Sequence, residues 1–268
     1  LVIENSYSWV KTADPDIKAF LWKTLRFRAN GYWHSYLYKR KLWDGYNEFF
    51  KKDSGRFLTG LLPEIKTVLK YKNIDFEIQD NREVFNFAYD SVDKNFLDME
   101  MRDYQVDYIN SVIKYKRGII TAPTGAGKSM TMRGIIKAIP PKTFTLILGN
   151  KKSLVDQNYD EVKSLGIDYV GRLYSGVKEP NYITCATVQS LHLIETLLPK
   201  VKVLIVDEIH DMLSKEPKKM YAALKNASVR VGMSATAFKF GGKDQSQKYE
   251  AKGWFGPPFL VQSTESGK

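Results

Sequence analysis

The feature that most constrains this 268-residue chain is the stretch Ala122, Pro123, Thr124, Gly125, Ala126, Gly127, Lys128, Ser129, set between the apolar run Gly118–Thr121 and a helical stretch, Lys128–Ala138. A strand that ends in such a loop and passes straight into a helix is the context in which a Gly-rich turn folds its backbone N–H groups around phosphate oxygens. The helix then points its positive end at the same place. Lys128 is placed to neutralise β and γ phosphates, and Ser129 to set a hydroxyl on a magnesium ion bound with them. Pro123, Thr124, Gly125, Ala126, Gly127 and Thr131 complete the candidate nucleotide contacts. The first position is Ala122 where the strict pattern has glycine. A Gly-rich turn beside a surface lysine is the competing interpretation.

Further apolar, β-rich runs follow at Thr143–Leu148, Tyr182–Ala186, Val201–Val206 and Val229–Met233. Helical stretches separate them, among them Ser153–Leu165, closed by Gly166. This alternation predicts βαβ units and a parallel sheet covered by helices. The fourth run ends in Asp207, Glu208, Ile209, His210. A carboxylate at the carboxyl end of such a strand faces the ligand crevice. Asp207 is the expected magnesium partner, partly through water, Glu208 the group that deprotonates the attacking water, and His210 a relay of nucleotide state. An acidic pair after a strand is often only a solvated loop; Lys128 upstream favours the functional interpretation.

Taken in order, these motifs resemble the first motor lobe of superfamily 2 DExH helicases. The resemblance implies a RecA-like fold, ATP and Mg2+ as cofactors, and nucleic acid as partner. Arg102, Tyr104 and Gln105 resemble the pattern that reads adenine. Leu146–Gln157 resembles the motif that holds the tracked strand, though Gly149, Asn150 and Lys151 replace its commoner proline-bearing start. Thr184–Leu191 resembles a second such motif. Lys151, Lys152, Thr187 and Gln189 are therefore candidate nucleic-acid contacts, with core strand and helix cap as the alternative. Ser234, Ala235 and Thr236 match the motif that couples hydrolysis to movement between lobes.

The first 95 residues read as a separate small α/β domain. Asp14 and Pro15 mark a helix start followed by Ile17, Phe20, Leu21 and Leu25 at helical spacing. Tyr46–Phe50 and Arg56–Leu58 read as a hairpin around Asp53, Ser54 and Gly55; Pro63–Tyr71 reads as a helix, and Ile74–Ile78 as a half-buried strand. Between Lys18 and Lys72 stand thirteen Lys or Arg against four Asp or Glu, most of the formal net charge of +11. Aromatic residues are interleaved: a pairing of cations for phosphates with rings for exposed bases. Lys39, Arg40, Lys41 and Trp43 are the candidate contacts; a small domain's core with a solvated face is the alternative. The elements Lys41–Gly45, Gly55–Phe57 and Gly60–Leu62 resemble the amino-terminal domain of phage UvsW-type helicases, which implies branched or forked DNA in recombination, repair or replication.

The expected plan is thus a DNA-binding domain over 1–95, a RecA-like lobe over 96–240 and a glycine-rich loop or linker over 241–268, with a second RecA-like lobe elsewhere. On that plan the chain is an N-terminal fragment that turns ATP over weakly alone. An RNA helicase, a restriction-type duplex translocase and a non-catalytic ATP-switched module are the alternatives. No apolar run approaches the roughly twenty residues that span a bilayer, so no membrane partner and a cytoplasmic location are expected, the host cytoplasm if phage-encoded. The single Cys185 is expected in the core.

Overall fold

In the computed structural model, which describes residues 1–123, 125–235 and 245–259, each apolar run of the lobe is a strand within two residues of its expected ends. Thr124, 236–244 and 260–268 lie outside the described residues. The front region contains β1 (Val2–Ile3), β2 (Tyr7–Trp9), α1 (Pro15–Thr24), β3 (Arg26–Arg28), α2 (Tyr36–Lys39), β4 (Tyr46–Glu48), β5 (Phe50–Lys51), β6 (Arg56–Leu58), α3 (Leu62–Tyr71) and β7 (Gln79–Asp80). The lobe follows with α4 (Asp103–Tyr115), β8 (Arg117–Thr121), α5 (Lys128–Ala138), β9 (Thr145–Gly149), α6 (Lys152–Lys163), β10 (Val170–Tyr174) and β11 (Val177–Glu179). After these come β12 (Ile183–Thr187), β13 (Val203–Val206), α7 (Lys215–Ala223), β14 (Val229–Ser234) and α8 (Gln245–Phe255).

The lobe's strands form one sheet in the order β11-β10-β12-β9-β13-β14-β8. All neighbours are parallel except β10 and β11. Strands buried on both faces explain the unbroken Val, Leu and Ile runs. One face packs on α4, α5 and α6 through Ile109, Ile135 and Val155; the other packs on α7, α8 and the 3-10 segment Val188–Ile194. Cys185 is buried in β12. This is the RecA-like α/β sheet that the sequence pattern implies. The sequence misses β10 and β11 because Gly171 and Arg172 interrupt the apolar run.

In the front region β5-β6-β2-β1-β7 form a second sheet, and β3 pairs with β4. Asp14 accepts the Asp16 N–H at 2.8 Å and starts α1 as expected. The run 46–50 does not form one strand. Its first half pairs with β3 and its second with β6, the chain changing sheets at the buried Phe49. Residues 74–78 alternate as a strand would, yet they lie in no strand, and the ladder to β1 begins only at Gln79. Alternation without an edge to pair with gives no strand.

The glycines of 241–268 predict a loop. The described part instead contains α8, which packs on β8, β14 and the front region, and the chain then returns to the lobe's sheet, where Ile119 bridges Pro258. Glycines inside that stretch serve packing: Gly253 lies so near Leu58 that a Cβ there would stand 2.4 Å from a Leu58 methyl. Phe27 stacks on Tyr249 at 4.1 Å, and Lys252 pairs with Glu64 at 2.8 Å. Front region and lobe thus share α8 as a common wall. No described helix is long and apolar enough to cross a membrane.

Candidate nucleotide site

Between β8 and α5 the chain turns through Gly125 and Gly127, at φ +82° and +75°. Only glycine holds that left-handed backbone without cost. The space beside Gly125 is open, whereas a Cβ on Gly127 would stand 2.4 Å from the Gln105 amide nitrogen. Lys128 is the first residue of α5, and its side chain is largely buried. Its ammonium donates to Glu208 Oε1 and lies 4.0 Å from Asp207 Oδ1. Strands β8 and β13, separated in the sheet by β14, therefore bring together three residues up to 80 positions apart in the chain.

Glu208 occupies the left-handed region at φ +51°, where a non-glycine residue costs on the order of 1–3 kcal/mol. Its second carboxylate oxygen accepts the Ala235 N–H at 3.3 Å and faces His210 Nδ1 at 3.3 Å. The same imidazole nitrogen lies 3.3 Å from Ser234 Oγ. Glu208, His210, Ser234 and Ala235 thus form one continuous polar chain from the end of β13 to the end of β14.

The two neighbouring carboxyls are tuned apart. Burial raises Asp207 above the ordinary carboxylate range, with the Lys128 charge opposing it. Burial also acts to raise Glu208, but the Lys128 hydrogen bond, the Ala235 N–H and the charges of Lys128 and His210 outweigh it, and the net direction is down. Glu208 is the carboxylate held ionised against the lysine.

Arg102 and Gln105 lie against this loop. Arg102 caps α4, and its backbone N–H donates to Gln105 Oε1 at 2.9 Å. The Gln105 amide nitrogen is 3.3 and 3.4 Å from the carbonyls of Ala126 and Gly127. Gln105 is 5% exposed, with both ends of its amide engaged by protein. Tyr104, the third residue of the adenine-type pattern, donates to the Ala126 carbonyl at 2.6 Å and accepts from Arg102 at 3.1 Å. Its only sequence signal is its place between Arg102 and Gln105. Thr131 is 1% exposed, and its backbone N–H donates to the Gly127 carbonyl at 3.2 Å. Pro123 is exposed on the loop and Ser129 is half-buried beside Lys128. The candidate contact Thr124 and the coupling candidate Thr236 lie outside the described residues.

The candidate nucleic-acid contacts divide. Lys151, Lys152, Gln189, Lys39, Arg40 and Lys41 are exposed. Thr187 is buried, its hydroxyl 3.1 Å from Ser190 Oγ. Trp43 is half-buried and donates its indole N–H to the Tyr46 carbonyl at 2.7 Å, a packing role. Asn150 stands out in the sequence only as a departure from its motif; its amide donates to Asp211 at 2.6 Å and ties the end of β9 to the turn carrying His210.

The sequence model described as "Type III restriction enzyme, res subunit" (ResIII) matches residues 98–239, just over half of the chain. The chain belongs to the ResIII family of superfamily 2 helicases. Over 187 residues this ResIII chain is 32% identical to the DNA 3'-5' translocase XPB2 of Sulfurisphaera tokodaii, covering 65% of this chain and 42% of XPB2. It therefore spans less than half of that relative's length. The crystal structure of the UvsW helicase from bacteriophage T4 superposes with a TM-score of 0.76 at 16% identity, covering 96% of this chain and 97% of that one. A second T4 UvsW crystal structure gives 0.73 at 16% identity, over 96% of this chain and 55% of that one. At such identity the likeness is one of fold, and it extends through the front region as well as the lobe.

Proposed function

We propose that this chain is the ATP-binding lobe and front domain of a DNA helicase or translocase that remodels branched or forked DNA in recombination, repair or replication. The observation that carries the ATP half is the convergence of Lys128, Asp207 and Glu208 beside an open glycine turn. The buried ammonium is met by a carboxylate, the kind of partner an anionic phosphate replaces. The residues fit ATP with magnesium: a lysine, two glycines at the start of a helix, a hydroxyl at Ser129 and a carboxylate at Asp207. Bound magnesium supplies positive charge beside the phosphates, and Ser129 and Asp207 would hold it.

The chain's own residues then act in sequence. Lys128 leaves Glu208 for the β and γ phosphates. Glu208, relieved of the partner that depresses its pKa, becomes a stronger base toward the attacking water. His210, next to both Glu208 and Ser234, passes that change to the end of β14. Arg102 and Gln105 lie where an adenine ring would meet the loop, with Tyr104 bracing Ala126. Lys151, Lys152 and Gln189 are proposed contacts to the tracked strand's phosphates. A second RecA-like lobe, as the family resemblance implies, closes the site with an arginine that stabilises the transition-state charge.

A duplex translocase is a second interpretation, favoured by the likeness to XPB2, a DNA 3'-5' translocase. ATP hydrolysis measured with forked DNA, plain duplex and RNA, with the second lobe present, separates the possibilities. Greatest stimulation by forks supports the proposal, equal stimulation by plain duplex selects the translocase, and stimulation by RNA alone overturns both. Absence of turnover with every nucleic acid would leave an ATP-switched binding module.

A further inference from the structure

Between β3 and β4 the chain leaves the front domain and returns as a short projection: a 3-10 turn at Tyr32–His34, then α2, then a turn through Lys41 to Trp43. Its base is built from alternating rings and guanidiniums. The Arg26 guanidinium lies 4.2 Å from the centres of both the Trp22 and Tyr46 rings. Arg28 lies 4.7 Å from Tyr32 and 5.1 Å from Tyr46. Asp44 pairs with Arg26, Trp43 is held by the Tyr46 carbonyl, and Ala29 donates to Gly45 at 2.9 Å. Contacts of this kind desolvate and fix both partners.

At the tip Arg40 lies 5.3 Å from the Tyr36 ring, but there both partners stay exposed. Trp33 is 52% exposed, Tyr36 66% and Leu42 73%, in a protein whose other large apolar side chains are mostly covered. Lys41 holds a left-handed backbone at φ +58° and closes α2, with the Leu42 N–H returning to the Leu37 carbonyl at 2.9 Å. Three consecutive cations, Lys39, Arg40 and Lys41, are exposed beside the rings. The nearest acid in sequence is Asp44, already paired with Arg26. Exposed rings alone would suit an apolar protein surface. Three adjacent cations without a free acid beside them suit a polyanion that also offers flat apolar faces.

We propose that Tyr32–Trp43 is a base-stacking pin that enters the branch point of forked DNA, with Trp33 and Tyr36 against unpaired bases and Lys39, Arg40 and Lys41 on the flanking phosphates. This rests on the DNA-remodelling function proposed above and adds the nucleotides it engages. Base–aromatic stacking is sequence-tolerant, because every base has a π face. The pin therefore recognises the absence of pairing and not a sequence. Trp43, the ring expected from the sequence, belongs to the base of the pin, and Trp33 and Tyr36 do the contacting.

The experiment is binding of the chain to a DNA fork carrying 2-aminopurine at the branch nucleotide, beside the matching plain duplex. Wild type should bind the fork more tightly than the duplex and change the 2-aminopurine emission. Trp33→Ala with Tyr36→Ala should weaken fork binding about ten- to a hundredfold and abolish the emission change, while duplex binding changes little. Trp33→Phe with Tyr36→Phe should restore both, which a misfolded variant could not explain. Fork binding and emission that survive the alanine pair would overturn the pin while leaving the DNA function standing. Equal loss on fork and duplex without rescue would also overturn it, by assigning the rings a structural part. So would a change confined to self-association in sedimentation. Wild type that binds no DNA would overturn the underlying function and the pin together.

Discussion

The lobe and the front domain solve different problems with different kinds of residue. In the lobe, strands of four to six residues buried on both faces deliver Lys128, Asp207 and Glu208 to one point, and only the turns after them are exposed. In the front domain, strands of two or three residues support a basic, aromatic surface with Trp33 and Tyr36 exposed on the β3–β4 connection. The lesson lies in what each region tolerates. Chemistry at a phosphate needs groups held to fractions of an ångström, so it sits on the rigid sheet. Recognition of a flexible polyanion needs charge and flat surface, which a small, weakly cored domain can present. A substitution in the lobe should therefore change turnover, and one in the front domain should change which DNA is preferred.

The sharpest test of that division is Glu208→Gln. The amide keeps the shape but cannot take a proton, so turnover with the second lobe present should fall about 10²- to 10⁴-fold. It also removes the carboxylate partner of Lys128. ATP binding should therefore be retained or tightened, as read by fluorescent-nucleotide titration. Weakened nucleotide binding would show that the lysine is not competing between carboxylate and phosphate. Lys128→Ala should act on both quantities, lowering turnover about 10²- to 10³-fold and weakening ATP binding. Turnover at the wild-type rate would remove the assigned site. Neither substitution should alter the preference for fork over duplex if the two regions are separable.

This asymmetry also explains what was legible in the sequence. The nucleotide loop could be read because its chemistry demands neighbouring residues: Gly125, Gly127, Lys128 and Ser129 work as a string. Asp207 and Glu208 could be read because they follow an apolar strand run. The burial of Thr131 was not legible, because proximity in sequence to a loop says nothing about how deep a helix position lies. Nor was the half-burial of Trp43 legible, since composition counts rings without separating covered from exposed ones. Helix α8 was hidden by the glycines around it and by its own Gly253, which serves close packing against Leu58 of the front domain. Least legible was Arg230, a charge inside the apolar run Val229–Met233.

Arg230 marks the seam where the two regions meet, and it makes the next test. It is fully buried, and its strand partner across β14 and β8 is Arg117, also buried. Among the described residues no carboxylate pairs with either. Arg230 donates to the carbonyls of Tyr221, Leu224 and Ala227 and to the Ser6 hydroxyl, while Arg117 donates to the carbonyls of Asn5 and Trp254. Burial pushes the Arg230 guanidinium down to about 9, so its charge is costly there and its hydrogen bonds offset that cost. Arg230→Met would relieve the charge but remove a donor from four acceptors, of which Tyr221 and Leu224 keep a second one, and should lower stability by about 1–3 kcal/mol. Thermal unfolding would show this as a lower Tm. An unchanged Tm would mean that the Arg230 hydrogen bonds add nothing to the seam.

The smallest expected effect discriminates most finely between the regions. Replacing Lys39, Arg40 and Lys41 with alanine removes three exposed cations from the pin and touches no buried group. Each phosphate that a protein cation no longer neutralises lowers the slope of log affinity against log salt by about 0.9 for duplex DNA and about 0.7 for single strands. If all three engage phosphates, the slope on a fork should fall by roughly 2 to 3. Replacing Lys151 and Lys152 should lower it by less, because only two cations are removed, and should do so on every DNA that reaches the lobe. The pin variant should have a shallower slope on forks and an unchanged one on plain duplex. Equal flattening on both substrates would place the front domain's charges along ordinary duplex backbone, and the division of labour would then reduce to ATP chemistry on one side and unspecific grip on the other. Flattening on forks alone would tie the front domain's charge to the branch point itself.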